Sequence, residues 1–222
     1  MTLAKFPRVA LFDLDGTLLD SAPDMLATAN RMRASRGLAP LALEDVRNHV
    51  SRGARAVLAA AFAHASPDER EAWVPEFLDT YRSEIGRHSR LFDGVAEMLD
   101  ALERAGARWG IVTNKPEYLA RDILPHHGWE TRSAVLIGGD TLAERKPHPL
   151  PLLAAAERVG VAPADCVYVG DDERDIVAAR AAGMRSVAAL WGYRMPDESP
   201  AQWGADAMIE RPSQLADPAN WP

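Results

Sequence analysis

Asp13 and Asp15 stand two residues apart at the end of the run Val9-Ala10-Leu11-Phe12, and Gly16 and Thr17 follow at once. At that spacing two carboxylates point the same way if both remain in a strand, and like charges side by side cost stability unless a cation or a proton neutralises them. The pair therefore suits a divalent metal, or an acid and a base with separated pKa values. A strand-end Asp capping the next helix, with a second Asp in the turn, gives the same pattern without any chemistry, so the companions decide. They are Thr113 and Asn114, Lys146 in the loop Glu144-Arg145-Lys146-Pro147-His148-Pro149, and Asp171 and Asp172 after Gly170. Two or three carboxylates, a hydroxyl, an amide and a lysine make a poor site for an apolar ligand and a good one for a phosphate on a hard cation. Mg²⁺ takes oxygen ligands and keeps several waters, which matches so few protein oxygens. The lysine and metal would neutralise the transferring group while Thr113 and backbone N–H groups donate to its oxygens. One carboxylate would then attack phosphorus and the other move protons.

These residues must be brought together by the elements that carry them. The apolar run before Asp13 is too short for a helix and has the length of a buried strand. Arg108 to Asn114 reads as a second strand, followed by strands at Ala134 to Ile137, Val167 to Gly170 and Ser186 to Leu190, with helices between them. Those helices are expected from Asp93, as cap, to near Gly106, from Pro116, from Pro149 to Gly160 and from Glu173 to Gly183. Repeated strand–helix–strand with short loops predicts a doubly wound α/β fold, a parallel sheet with helices on both faces. In such a sheet the strand ends share one edge, so all the polar residues above converge on one crevice. After the first strand, Ser21 or Asp20 is expected to cap a helix running to about Gly37 with Met25, Leu26, Ala29 and Met32 on one face. Leu43 to Val50, Gly53 to Ala65 and Pro67 to Gly86 then read as further helices, a block too long for an ordinary crossover and so an inserted all-helical domain. The tail from Trp191 is expected to hold one short strand, Ala207 to Ile209, and a partial helix.

Composition sets outer limits. The chain has 222 residues, 47% hydrophobic and 26% charged, with a formal net charge of −7. That charge disfavours nucleic acid and anionic membrane, so an anionic substrate needs local cations. The single cysteine, Cys166, sits in an apolar run and reads as a buried small residue. No apolar stretch approaches the ~20 residues that span a bilayer, and Met1 to Arg8 lacks the apolar core of a secretory signal, so a cytoplasmic protein is expected. In the helical block, Ser51-Arg52-Gly53-Ala54-Arg55 places two arginines and a glycine at a helix start, which suits an anion as well as it suits a solvated helix end. His49, His64 and His88 lack convergent ligand spacing, and His148, between two prolines, reads as structural.

Asp13-Leu14-Asp15-Gly16-Thr17, Val112-Thr113-Asn114-Lys115-Pro116, Lys146-Pro147-His148-Pro149 and Gly170-Asp171-Asp172-Glu173-Arg174-Asp175 resemble, in order, the four motifs of the haloacid dehalogenase-like hydrolases. The resemblance implies a Rossmann-like core, residues 1–20 and 90–222, with a helical cap at 21–89. It implies that Asp13 is the nucleophile and Asp15 the general acid/base, with the Asp15 backbone carbonyl on Mg²⁺. Thr113, Asn114 and Lys146 would bind phosphate, Asp13, Asp15 and Asp171 the metal, and Thr17, Asp172 and Asp175 would support them. Asp15 is absent at the corresponding place in the dehalogenases themselves, so phosphoryl transfer is implied over carbon–halogen cleavage. The chain is similar to the phosphoglycolate phosphatase-like branch. Arg36-Gly37-Leu38-Ala39-Pro40, Gly53-Ala54-Arg55, Leu91-Phe92-Asp93-Gly94, Trp109-Gly110 and Trp203-Gly204-Ala205-Asp206 resemble the N-acetylmuramic acid 6-phosphate phosphatases. The expectation is a Mg²⁺-dependent phosphatase acting on that sugar phosphate, with 2-phosphoglycolate as the alternative substrate and Arg52 and Arg55 as cap contacts. A phosphomutase or a non-catalytic binding module is the remaining reading, and the protein is expected to be a monomer or homodimer.

Overall fold

A computed structural model describes residues 5–222, so the first four residues of the expected core and leader readings lie outside it. Six strands form one parallel sheet: β1 (Val9–Phe12), β4 (Arg108–Val112), β5 (Leu136–Ile137), β6 (Cys166–Gly170), β7 (Arg185–Ala189) and β8 (Ala207–Ile209), in the order β5-β4-β1-β6-β7-β8. β1 is central, with Val9 opposite Arg108 and Cys166 on its two sides. The chain winds outward from β1 through β4 to β5, then returns to β6 on the other side, which makes the carboxyl end of β1 the switch point where ligands bind.

Alternation along β1 divides the core in two. Ala10 and Phe12 face one apolar cluster, while Val9 and Leu11 face the other with Tyr168 and Leu152. Helices α5 (Val95–Arg104) and α6 (Glu117–Ile123) contribute to the first, and α7 (Leu150–Val159) and α8 (Glu173–Ala181) to the second, so both faces are covered. Burial on both faces is why the strands read as continuous apolar runs.

The inserted block follows a two-residue strand, β2 (Leu19–Asp20), and consists of α1 (Ala22–Ser35), α2 (Ala54–Ala61), α3 (Pro67–Ala72) and α4 (Val74–Glu84), with two 3₁₀ segments, Leu43–Asp45 and Arg47–Arg52. It ends at β3 (Arg90–Leu91), which pairs antiparallel with β2. This pair brackets the insertion and is too short for periodicity to reveal. Phe77, Tyr81, Val50 and Met25 of the block share one core with Phe12 and Leu14 of the sheet. Asp24 anchors its return: the fully buried carboxylate accepts N–H groups of Gly86 at 2.9 Å and His88 at 2.7 Å, and also the Ser89 hydroxyl.

Several boundaries differ from the expectations. Leu43 to Val50 is 3₁₀ rather than α, because Val46 departs from helical geometry at φ −122°. The helix expected to Ala65 ends at Ala61, and the one expected over Pro67 to Gly86 breaks at Trp73, where Pro75 opens a new helix. Ser21 makes no side-chain cap bond; α1 starts with Pro23 in its first turn instead. Asp93 does not cap α5, since Gly94 at φ 91° takes that place. β5 is two residues shorter than expected at its start, and the tail helix is a 3₁₀ turn, Pro212–Ala216.

Candidate active site

β1 ends at Phe12, so Asp13 and Asp15 lie beyond the strand, where its alternation no longer sets their directions. Each carboxylate meets a different buried lysine. Asp13 Oδ1 lies 3.0 Å from Lys146 Nζ, whereas both Asp15 oxygens lie 3.0 Å from Lys115 Nζ. The repulsion between the pair is thus relieved by two ammonium groups. Gly16, at φ 89°, makes the turn beyond them; a Cβ there would fall 2.1 Å from Asp171 Oδ2, so only glycine lets β1 and β6 bring their ends this close.

Asp13, Asp171 and Asp175 form a buried cluster whose carboxylate oxygens lie within 4.8 Å of one another. Lys146 is the cation among them, 2.7 Å from Asp175, and it also donates to the Tyr168 hydroxyl at 2.7 Å. Burial works to lower the Lys146 pKa, but Asp13 and Asp175 outweigh it and hold the ammonium above the usual lysine value. Burial, reinforced by Asp13 and Asp175, pushes the Asp171 carboxyl well above the carboxylate range, and burial pushes Asp175 up to about 7 against the pull of Lys146. Crowding three buried carboxyl groups around one lysine disfavours ionising them all, and an all-oxygen cradle of this kind is the donor set a hard divalent cation fits.

Asp171 is held from three directions. Thr17 Oγ1 donates to Oδ1 at 3.0 Å, and Ser51 Oγ and Tyr193 N–H donate to Oδ2 at 2.7 and 2.9 Å. Ser51 also reaches the Asp15 backbone oxygen at 3.5 Å, so the inserted block touches the same place as the sheet. Asp172 caps α8 by accepting from Arg174 N–H at 2.9 Å; burial opposes its ionisation, but the Arg174 guanidinium 2.7 Å away holds its pKa below the ordinary value. Asp172 is therefore spent on the cap and the ion pair. Arg174 reaches on to the Ser51 carbonyl at 2.8 Å.

Thr113 is buried at the end of β4, its oxygen accepting the Lys115 N–H at 3.3 Å and its hydroxyl proton left to donate. Asn114 donates its Nδ2–H to the Lys146 carbonyl at 2.9 Å, and its buried Oδ1 has no partner among the described residues. His148 accepts the Leu150 N–H at 3.2 Å, a structural use as expected.

A cavity of about 200 Å³ opens beside this edge, lined by Asp13, Asp15 and Thr113 on one side and Val50, Phe77 and Tyr81 on the other. Arg52 and Arg55 also line it, but their guanidiniums are engaged: Arg52 with Glu198 at 2.7 Å and Arg55 with Glu71 at 2.6 Å. Lys115, Ser51 by itself, Tyr81, Arg174 and Tyr193 carry no individual signal in the sequence reading. Lys115 and Tyr193 were within reach of the strand-end rule, since they follow β4 and β7 on the same edge; Ser51, Tyr81 and the bridge from Arg174 depend on how the block packs.

The chain matches the haloacid dehalogenase-like hydrolase family over residues 10–189. It is 66% identical over 218 residues, 98% of this chain and 99% of the relative, to a phosphoglycolate phosphatase of Xanthomonas campestris pv. campestris. It is 45% identical over 212 residues, 95% of this chain and 93% of the relative, to an N-acetylmuramic acid 6-phosphate phosphatase of Pseudomonas aeruginosa. Among solved structures, that of a predicted phosphoglycolate phosphatase from Haemophilus somnus superposes with a TM-score of 0.82 at 29% identity, over 94% of this chain and 96% of that one.

Proposed function

The chain belongs to the haloacid dehalogenase-like hydrolases as a phosphomonoester hydrolase, and we propose that it hydrolyses 2-phosphoglycolate to glycolate and phosphate in the cytoplasm. The observation that carries the chemistry is the buried contact of Lys146 with Asp13 and Asp175 beside Asp171. A carboxylate nucleophile, a cation for the phosphoryl oxygens and a hard-metal cradle share one edge. Two observations support the substrate. The relative at 66% identity carries that name, and the cavity of about 200 Å³ falls below the roughly 300–1,000 Å³ of sites that hold larger ligands. The preference for N-acetylmuramic acid 6-phosphate that the cap and tail stretches suggested becomes the second reading, supported by the relative at 45% identity and by the apolar wall of Val50, Val74, Phe77 and Leu78.

Asp13, Asp171 and the backbone carbonyl of Asp15 would hold Mg²⁺, which when bound supplies positive charge to the crowded carboxylates and to the phosphoryl oxygens. Asp13 attacks phosphorus, the ester bond breaks, and Asp15 gives the leaving oxygen its proton. Thr113 Oγ, the Asn114 N–H and Lys146 donate to the phosphoryl oxygens. Asp15 then takes a proton from the water that hydrolyses the aspartyl phosphate, which restores Asp13. Asp175 holds Lys146, and Thr17 holds Asp171. Residues 21–89 act as the cap over the core formed by the rest of the chain, with Ser51 as its contact to the Asp171 edge.

The test is phosphate release with Mg²⁺ from 2-phosphoglycolate and from N-acetylmuramic acid 6-phosphate, compared by kcat/KM. The proposal expects the first to be preferred by about 100-fold or more, some 2.7 kcal/mol of differential transition-state binding. The reverse preference would replace it with the second reading.

A further inference from the structure

Lys115 is a second buried lysine at the active edge, and the steps above do not use it. Its side chain is 3% exposed, and its Nζ donates to both Asp15 oxygens at 3.0 Å and to the Tyr81 hydroxyl at 2.8 Å, with the ammonium over the Tyr81 ring. Burial disfavours that charge, but Asp15 and Tyr81 outweigh the cost and hold its pKa above the ordinary lysine value. It lines the same cavity as Asp13 and Thr113.

Of the other cations lining the cavity, Arg52, Arg55 and Arg174 pair with Glu198, Glu71 and Asp172, while Lys146, which does not line it, serves Asp13 and Asp175. Arg145 lies on the exposed rim. Among the described residues Lys115 is the cation in contact with Asp15, the group placed to protonate the leaving oxygen. Whatever is attached to the carbon bearing that oxygen must therefore lie close to Lys115. Two of its three N–H donors go to the Asp15 carboxylate and the third to Tyr81, so a substrate carboxylate would take over one of the two that Asp15 holds.

We infer that Lys115 is the specificity-determining residue of this site, binding a carboxylate carried on the same carbon as the ester oxygen and so selecting α-phosphorylated carboxylic acids. Tyr81, on α4 of the inserted block, ties that ammonium to the cap and fixes its direction. The inference rests on the 2-phosphoglycolate reading. In N-acetylmuramic acid 6-phosphate the carboxylate lies across the sugar ring from the ester oxygen, out of reach of this lysine.

The experiment measures kcat/KM for 2-phosphoglycolate and for 2-hydroxyethyl phosphate, in which an alcohol replaces the carboxylate, with the wild type and with K115Q. The glutamine keeps donors for Asp15 and Tyr81 and deletes the charge. Wild type is expected to prefer the carboxylate substrate by about 100-fold or more, the scale of one well-placed ionic contact. K115Q should reduce that ratio at least tenfold. Equal loss on both substrates would overturn the inference, because Lys115 would then only position Asp15. If K115Q does not melt as a folded protein, the wild-type ratio decides, and equal kcat/KM on the two substrates overturns the inference. Wild type that prefers N-acetylmuramic acid 6-phosphate over both small esters would instead refute the substrate reading, and the inference with it.

Discussion

The carboxyl edge of the sheet and the cap loop at 51–55 face the same cavity, and they hold their charges in opposite ways. At the edge, Lys146 is 3% exposed between Asp13 and Asp175, and Asp171 is fully buried with bonds from Thr17, Ser51 and Tyr193. In the cap loop, Arg55 is 63% exposed in its side chain and paired with Glu71, itself 56% exposed. A buried charge is placed by several partners at once and its removal leaves another charge uncompensated; an exposed pair is screened and contributes little. The edge therefore holds fixed charges, and the loop tolerates change.

The largest effect belongs to the edge. Asp13→Asn should lower kcat with 2-phosphoglycolate by about 10⁴-fold or more, the loss expected when a covalent nucleophile is removed; a variant within tenfold of wild type would break the comparison at its centre. Lys146→Met comes next. It should cost about 10³-fold in kcat/KM and destabilise the protein by roughly 3–5 kcal/mol, because Asp13 and Asp175 lose their shared counter-charge. Chemical denaturation beside the kinetic assay measures both.

Asp24→Asn sharpens the contrast by separating burial from catalysis. The buried carboxylate accepts several N–H groups of the 86–89 loop, and an amide would turn a donor toward donors. The expected loss is about 2–4 kcal/mol of stability. A denaturation midpoint equal to wild type would show that the loop does not depend on it.

Much of this contrast is legible in the residues. Asp13 and Asp171 stand just past strand ends and Lys146 in the loop after β5, and a parallel sheet brings strand ends to one edge, so their convergence is legible from order. The cap is less legible because its contacts are made in space. Nothing local in Arg52 or Arg55 reveals that Glu198 and Glu71 will engage them, or that Ser51 beside them will reach Asp171. The strand period does not reach Asp15, since β1 stops at Phe12 and Lys115 holds that carboxylate. Boundaries in the inserted block slipped where Trp73 and Val46 interrupt patterns that read as continuous helix.

Two smaller predictions test the exposed side. Arg55→Ala should lower kcat/KM less than about fivefold, as exposed ion pairs contribute only about 0–1 kcal/mol. A loss of 50-fold would mean that Arg55 leaves Glu71 to hold the substrate, and the cap loop would join the catalytic edge. The smallest effect is at His127, away from both regions. Burial, helped by His126, holds its imidazole below the usual histidine pKa, so the folded chain keeps it neutral where the unfolded chain takes up a proton. The unfolded state then binds more protons, and stability falls as pH drops below about 6.5. His127→Gln should flatten the fall of Tm between pH 7 and pH 5.5, and an unchanged slope would remove His127 from the account.

In the proposed reaction the buried carboxylate at position 13 becomes phosphorylated. Rapid acid quench during turnover of 2-phosphoglycolate with Mg²⁺, followed by peptide mass spectrometry, tests it directly. The account predicts one phosphoryl group on the peptide containing Asp13, absent from Asp13→Asn and from enzyme quenched without substrate. A phosphoryl group on another residue would contradict it, and so would steady turnover with no phosphorylated peptide while a control aspartyl phosphate survives the same quench.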